Sequence, residues 1–167
     1  ASGTTWVGLG TSGFAARSAD NGESWADLPR GLNTDSQTVV FYDAAANGNT
    51  WIVVGDTGYV SKSIDDGLTW VWQIQGLNSG NPTAFFRAVA CAADTWVVVA
   101  SAGWAARSTD NGATWTALPQ GLNSGNTSAN FNSVASNEST WVATATTGFA
   151  ARSTDDGATW TALPQGL

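Results

Sequence analysis

The chain has no histidine and no methionine, a single cysteine, four prolines, and only six Lys and Arg residues against thirteen Asp and Glu. Each scarcity excludes something. Without imidazole there is no His general base, no Ser-His-Asp triad and no His metal site. The lone Cys91 rules out an internal disulfide and a Cys-based zinc cluster. A formal charge of −7 with so few cations argues against a nucleic-acid backbone or an anionic membrane surface as partner, since both are held by clustered Lys and Arg. No apolar run approaches the ~18 residues of a spanning helix, so no membrane insertion is expected. Charged residues make up 11% of the chain, and Gly, Ser, Thr, Asn and Trp take their place. This lysine-poor composition points to an extracellular or cell- or virion-surface setting.

What is abundant is tryptophan, and it is periodic. Trp6, Trp51, Trp96 and Trp141 recur every 45 residues, as do Trp25, Trp70, Trp115 and Trp160, and Phe41, Phe86 and Phe131. Residues 105–122 reappear as 150–167 with 17 of 18 identical, only Asn111 and Asp156 differing. The second copy has drifted furthest. The 167 residues therefore read as one domain of four repeats, approximately 1–32 (partial), 33–77, 78–122 and 123–167.

Within the last repeat the pattern predicts four short strands: 131–135, 140–145, 149–153 and 159–163. Turn signals (Asn-Glu-Ser, Thr-Thr-Gly and Asp-Asp-Gly) lie between them. No segment carries a helical period. Four strands in roughly 45 residues is the size of a propeller blade. The expected fold class is all-β, a β-propeller of four-stranded antiparallel blades. About four blades fall in this chain, the first lacking its innermost strand.

The turn before each second Trp repeats one motif. It reads Ser18-Ala19-Asp20-Asn21-Gly22-Glu23-Ser24-Trp25, then Ser63-Ile64-Asp65-Asp66-Gly67-Leu68-Thr69-Trp70. The third and fourth copies are Ser108-Thr109-Asp110-Asn111-Gly112-Ala113-Thr114-Trp115 and Ser153-Thr154-Asp155-Asp156-Gly157-Ala158-Thr159-Trp160. This pattern resembles the Asp-box, or BNR repeat, of sialidases, sortilin-type receptors and photosystem II assembly factors. The run Val53-Val54-Gly55-Asp56-Thr57-Gly58 is most similar to the assembly-factor type. The resemblance implies a β-propeller over essentially the whole chain.

The residues of the motif have a physical logic of their own. Asp20, Asp65, Asp110 and Asp155 can accept hydrogen bonds from turn N–H groups. Gly22, Gly67, Gly112 and Gly157 supply the positive φ of a tight hairpin turn. Trp25, Trp70, Trp115 and Trp160 can lie across a blade and bury a large area against its neighbour. These twelve residues are expected to be structural. The loops lack the twelve-residue ligand pattern and closing Glu of a calcium loop, so neither metal nor cofactor is expected.

Three sets of residues are candidates for function. The sialidase resemblance implies an Arg cluster, a Tyr nucleophile paired with Glu, and an Asp acid. Here Arg17, Arg107 and Arg152 share one repeat position, with Lys62 in the remaining copy. Only Tyr42 and Tyr59 could be nucleophiles, and no pair of Glu23, Glu138 and the Asp residues forms a glycosidase dyad. No catalytic residue is therefore assigned, and the chain is read as non-enzymatic. The cation ring itself has two readings: strand-edge cations paired with nearby acids, or a stripe that binds an acidic partner. The third set is the inter-blade loops, with Asn33, Asn78, Ser79, Asn81, Asn123, Ser124 and Asn126. In a propeller these share a face with the turns carrying Phe14, Tyr59, Trp104 and Phe149. Amides and hydroxyls beside an aromatic suit sugar hydroxyls, and repetition would add avidity. Asn126 and Asn137 also begin glycosylation sequons.

The function expected from sequence is thus a binding module, lectin-like or adhesive through its inter-blade loops. A protein–protein scaffold is the alternative, and a degenerate glycosidase the second alternative. The partner is carbohydrate or a protein surface. Because the first repeat has no first strand within the chain, its Trp6 strand would present an open edge. Closure as a homo-oligomer, two chains giving eight blades, or within a longer polypeptide is expected.

Overall fold

The computed structural model describes residues 1–33, 38–73, 77, 81–124 and 126–164. Among them, fifteen strands form four antiparallel sheets in sequence order, and the only helical pieces are single 3-10 turns. Blade 1 has three strands: β1 (Trp6–Leu9), β2 (Ala15–Ser18) and β3 (Ala26–Asp27). Blade 2 comprises β4 (Phe41–Asn47), β5 (Thr50–Gly55), β6 (Val60–Ser63) and β7 (Val71–Trp72). Blade 3 comprises β8 (Phe86–Ala92), β9 (Thr95–Ala100), β10 (Ala105–Ser108) and β11 (Thr116–Ala117). Blade 4 comprises β12 (Phe131–Asn137), β13 (Thr140–Ala145), β14 (Ala150–Ser153) and β15 (Thr161–Ala162). The fold is a β-propeller of four blades, and the first lacks an innermost strand, as the sequence implies.

Three strand limits differ from the sequence reading: the innermost strand of blade 4 runs on to Asn137, past the expected 135, and two others differ for local reasons. The outermost strands hold only two residues, because the N–H and hydroxyl of Thr159 are committed to the Asp155 carboxylate rather than to the ladder. The third strand of blade 4 begins at Ala150, since Phe149 belongs to the turn that closes on Ala145. Each innermost strand shifts register after its first Phe, between Phe41 and Asp43, Phe86 and Ala88, and Phe131 and Ser133. A bulge of this kind bends a strand and re-aims a side chain.

Strand alternation explains how the blades pack. On each second strand one Trp faces the preceding blade, and the next residue faces the following one. Three apolar cores result. Trp51 and Trp70 of blade 2 close over Val7, Leu9 and Ala15 of blade 1. Trp96 and Trp115 of blade 3 close over Ile52, Val54 and Val60 of blade 2. Trp141 and Trp160 of blade 4 close over Val97, Val99 and Ala105 of blade 3. Leu32, Leu77 and Leu122, from the inter-blade loops, are fully buried plugs in these cores. All three have φ near +46°. That left-handed backbone costs a Leu about 1–2 kcal/mol, which burial of the side chain, at about 1.5–3 kcal/mol, offsets. Sustained packing among the described residues runs between consecutive blades.

Candidate functional site

The acidic turns are built alike in all four blades. In the third, Asp110 accepts hydrogen bonds from the backbone N–H groups of Thr114 (2.8 Å) and Ala113 (3.1 Å) and from the hydroxyls of Thr114 (2.6 Å) and Ser108 (2.8 Å). Ser108 Oγ in turn accepts the N–H of Gly112 at 2.9 Å. Hydroxyl donors and turn N–H groups hold the carboxylates of Asp20, Asp110 and Asp155 down at about 2. Asp65 is lowered too: burial pushes it up, but the bonds from Thr69 and Ser63 outweigh it. Gly22, Gly67, Gly112 and Gly157 have φ between +76° and +88°, the conformation the motif requires. Each carboxylate is occupied by its own turn, and no cluster of three metal-ligating side chains occurs among the described residues.

The residue before each Gly was not singled out by sequence reasoning, yet it joins the blades. Asn21, Asp66, Asn111 and Asp156 all have left-handed φ, from +54° to +62°. Asx residues tolerate that conformation, and this was the available signal. Arg17 Nε donates to the Asp66 carbonyl at 2.6 Å, and its terminal nitrogen forms an ion pair with the Asp66 carboxylate at 3.1 Å. Thr5 Oγ1 also donates to that carboxylate. Arg107 Nε donates to the Asp156 carbonyl at 2.6 Å. Between blades 2 and 3, Asn111 Nδ2 donates to Thr50 Oγ1 at 2.9 Å. Lys62 lies against Gly112; burial lowers the pKa of its ammonium, opposed by Asp110. Arg17, Lys62 and Arg107 therefore belong to successive inter-blade joints and do not converge on one anion. Three of the four turn tryptophans are buried as expected, whereas Trp25 is exposed among the described residues.

The loop residues expected to meet sugar are largely used within the fold. Asn33 Nδ2 donates to the Trp70 carbonyl at 2.7 Å, and Asn123 Nδ2 to the Trp160 carbonyl at 3.0 Å. Asn81 Oδ1 accepts from the N–H and hydroxyl of Thr83, and Asn126 Oδ1 from those of Ser128. Ser124 Oγ is enclosed, with no hydrogen-bond partner among the described residues. Asn78 and Ser79 lie outside the described residues. Tyr59 is buried and donates its hydroxyl to the Gly31 carbonyl. Trp104 packs against the core between blades 2 and 3. Phe14 is exposed, and the Arg30 guanidinium covers its ring 3.1 Å from the centroid. The loops and turns do share one face, tied by bonds such as Gly31 N–H to the Gly13 carbonyl at 2.9 Å.

Two surface features stand out once these residues are assigned. On adjacent innermost strands, the Arg87 guanidinium stands over the Tyr42 ring at 5.7 Å. Cys91, also on an innermost strand, donates its Sγ–H to the Ala46 carbonyl at 3.2 Å, and burial raises its thiol pKa. The second feature is the outer edge of blade 2. Ile64 and Leu68 on its acidic turn, and Val71 and Trp72 on β7, are all exposed. Blade 3 has Thr109, Ala113, Thr116 and Ala117 at these positions, and blade 4 has Thr154, Ala158, Thr161 and Ala162.

No protein-family model matches the chain, and no curated protein does. Solved structures do. YCF48 bound to D1 peptide superposes with a TM-score of 0.67 at 19% identity, covering 92% of this chain and 49% of that one. An ancestral GH74 enzyme gives 0.73 at 16% identity, covering 99% and 23% respectively. The computationally designed Ika4 protein gives 0.60 at 13% identity, covering 99% and 88%. The chain thus spans about half of the YCF48 structure and a quarter of the GH74 enzyme. These likenesses show the propeller fold.

Proposed function

We propose that this chain is a non-catalytic Asp-box (BNR) propeller module that binds a protein partner through the outer edge of its second blade. One observation carries this reading. The repeat that has drifted furthest exchanges small Thr and Ala side chains for Ile64, Leu68, Val71 and Trp72, and leaves all four exposed. Apolar patches of this kind mark interaction sites, and a large aromatic beside aliphatic side chains is the usual make-up of a binding hot spot. β7 is also the outermost strand of its sheet among the described residues, an edge to which an extended partner segment can add as a strand. The YCF48 neighbour carries a bound peptide, which supports a protein ligand. A lysine-poor surface rich in Asn, Ser and Thr supports an extracellular or cell- or virion-surface setting. The lectin-like reading relies on loop amides, and those of Asn33 and Asn123 are engaged inside the fold.

The test is a peptide-display selection and a glycan array run on the same protein. A variant carrying Ile64→Thr, Leu68→Ala, Val71→Thr and Trp72→Ala serves as the control. It rewrites the edge of blade 2 as that of blade 3, so it should fold. The expected outcome is enriched apolar peptides that bind the parent and lose at least tenfold affinity for the variant. Reproducible sugar binding that the variant retains would favour the lectin instead.

A further inference from the structure

The chain has five arginines, and three of them have an acceptor. Arg17 and Arg107 donate to the carbonyls of Asp66 and Asp156, each at 2.6 Å, and Arg30 donates to the Ser12 carbonyl at 2.7 Å. Arg152 is exposed, so water serves it. Arg87 is different. It is half-buried, its Nε–H is enclosed without a hydrogen-bond partner, and among the described residues it forms no ion pair. A partly desolvated cation without an acceptor is costly, and such a group is suited to receive one from a bound molecule.

The bulges of the innermost strands place this side chain. β4, β8 and β12 each shift register after their first Phe, so Tyr42, Arg87 and Asn132 have no partner on the neighbouring strand of their own sheet. These three strands pack side by side, and the bulged residues stand in a row across them. Arg87 lies over the Tyr42 ring, 5.7 Å from its centroid. Tyr42 is 43% exposed, and its hydroxyl bonds nothing among the described residues. Phe85, next but one before Arg87, is 40% exposed, and Asn132 is exposed as well. The acid beside Tyr42 does not neutralise Arg87. Asp43 accepts the N–H groups of Ala44 at 2.8 Å and Val89 at 2.9 Å. The second of these bonds ties β4 to β8 two residues beyond Arg87, and so fixes the two bulges relative to each other. Tyr42 and Arg87 belong to blades 2 and 3, each of which packs on a described blade on both sides.

We propose that Arg87, Tyr42 and Phe85 form a binding site for a small monocarboxylate with an apolar body. The terminal nitrogens of Arg87 offer the planar fork that fits a carboxylate. The Tyr42 hydroxyl and the Asn132 amide are further donors on either flank. The rings of Tyr42 and Phe85 supply apolar surface for the body of the ligand. One cation in a chain of net charge −7 favours a single negative charge over a phosphate or sulfate. The next half-buried side chains along the two strands are small, Ala44, Ala45 and Ala46 on β4 and Ala90, Cys91 and Ala92 on β8, so a larger polar ligand has nothing to hold there. β4 and β7 are opposite edges of the blade 2 sheet, which separates this site from the surface proposed for a protein partner.

Nuclear magnetic resonance of the 167-residue chain tests this, because an enclosed Nε–H exchanges slowly enough to be seen near neutral pH. Sodium benzoate is the probe, with acetate and sulfate at equal ionic strength as comparisons. Benzoate should shift the Arg87 Nε–H resonance saturably. Acetate, which lacks the ring, should bind about threefold more weakly or worse, and sulfate should give no saturable shift. By calorimetry, Arg87→Gln should weaken benzoate binding at least tenfold with circular dichroism unchanged. Arg87→Lys keeps the charge but loses the fork, and it should also weaken binding severalfold. Tyr42→Phe should cost about threefold. Arg152→Gln and the fourfold blade 2 variant should leave benzoate binding intact. A benzoate shift that stays linear to about 50 mM, an equal response to sulfate, or full binding by both Arg87→Gln and Arg87→Lys would overturn the proposal.

Discussion

The glycine of the acidic turn provides an internal series, because the same backbone meets a different neighbour in each blade. A Cβ on Gly22 (φ +88°) would find only Trp25 Cζ2, at 3.9 Å. On Gly67 it would meet Val7 Cγ2 at 3.4 Å, on Gly157 Val97 Cγ2 at 2.9 Å, and on Gly112 Ile52 Cδ1 at 2.5 Å. All four Ala substitutions incur the left-handed strain of a non-glycine residue, about 1–2 kcal/mol. Only the last two also force atoms into a filled joint, where overpacking costs about 1–3 kcal/mol more. Ile52 cannot swing clear cheaply, since it is fully buried between blades 2 and 3. We therefore expect losses of about 1 kcal/mol for Gly22→Ala and Gly67→Ala, about 2 for Gly157→Ala, and about 2–4 for Gly112→Ala. Urea unfolding followed by Trp emission reads these directly. In a thermal melt each 1 kcal/mol corresponds to about 2–4 °C. Equal losses at all four sites would mean that the turns do not press on the preceding blades as described.

Further expectations follow from the same geometry. Asp20, Asp110 and Asp155 have folded values of about 2 against an ordinary 3.8. A depressed value contributes stability that is complete above the unfolded value and is lost as pH falls through the folded one. The melting temperature should therefore hold from neutrality to about pH 4 and fall between about 4 and 2; a flat acid profile would contradict the hydrogen-bonded turns. Asn123→Ala removes the bond to the Trp160 carbonyl and should cost about 1–2 kcal/mol of stability; loss of binding without loss of stability would restore a ligand role to that amide. Cys91, with its raised thiol pKa, should react with a disulfide reagent far more slowly than a free thiol until urea is added.

Much of the fold is written in the spacing of Trp and Phe, because a repeat that packs only on copies of itself must keep its core residues in register. The three-stranded sheet of blade 1 is equally legible, since the 45-residue phase places β1 to β3 at the second to fourth strand positions of a repeat. The joints are less so. Arg17 and Asp66 are 49 residues apart, and their contact depends on how one blade is stacked on the next, which no local pattern states. No local pattern marks Leu32, Leu77 and Leu122 as core residues. Their left-handed backbone is favourable only because tertiary burial outweighs it. The roles of the Asn33 and Asn123 amides were hidden for the same reason: a surface Asn and one that ties a loop to the next blade are identical in sequence. Ile64, Leu68, Val71 and Trp72 were visible as drift, but their exposure required the blade.

Hydrogen–deuterium exchange of the protein with and without a selected peptide tests the binding surface most directly. Protection of residues 63–72 in the complex, absent with the fourfold variant, is the predicted result. Protection confined to the loops around Asn33, Asn81, Asn123 and Asn126, with residues 63–72 unchanged, would contradict it.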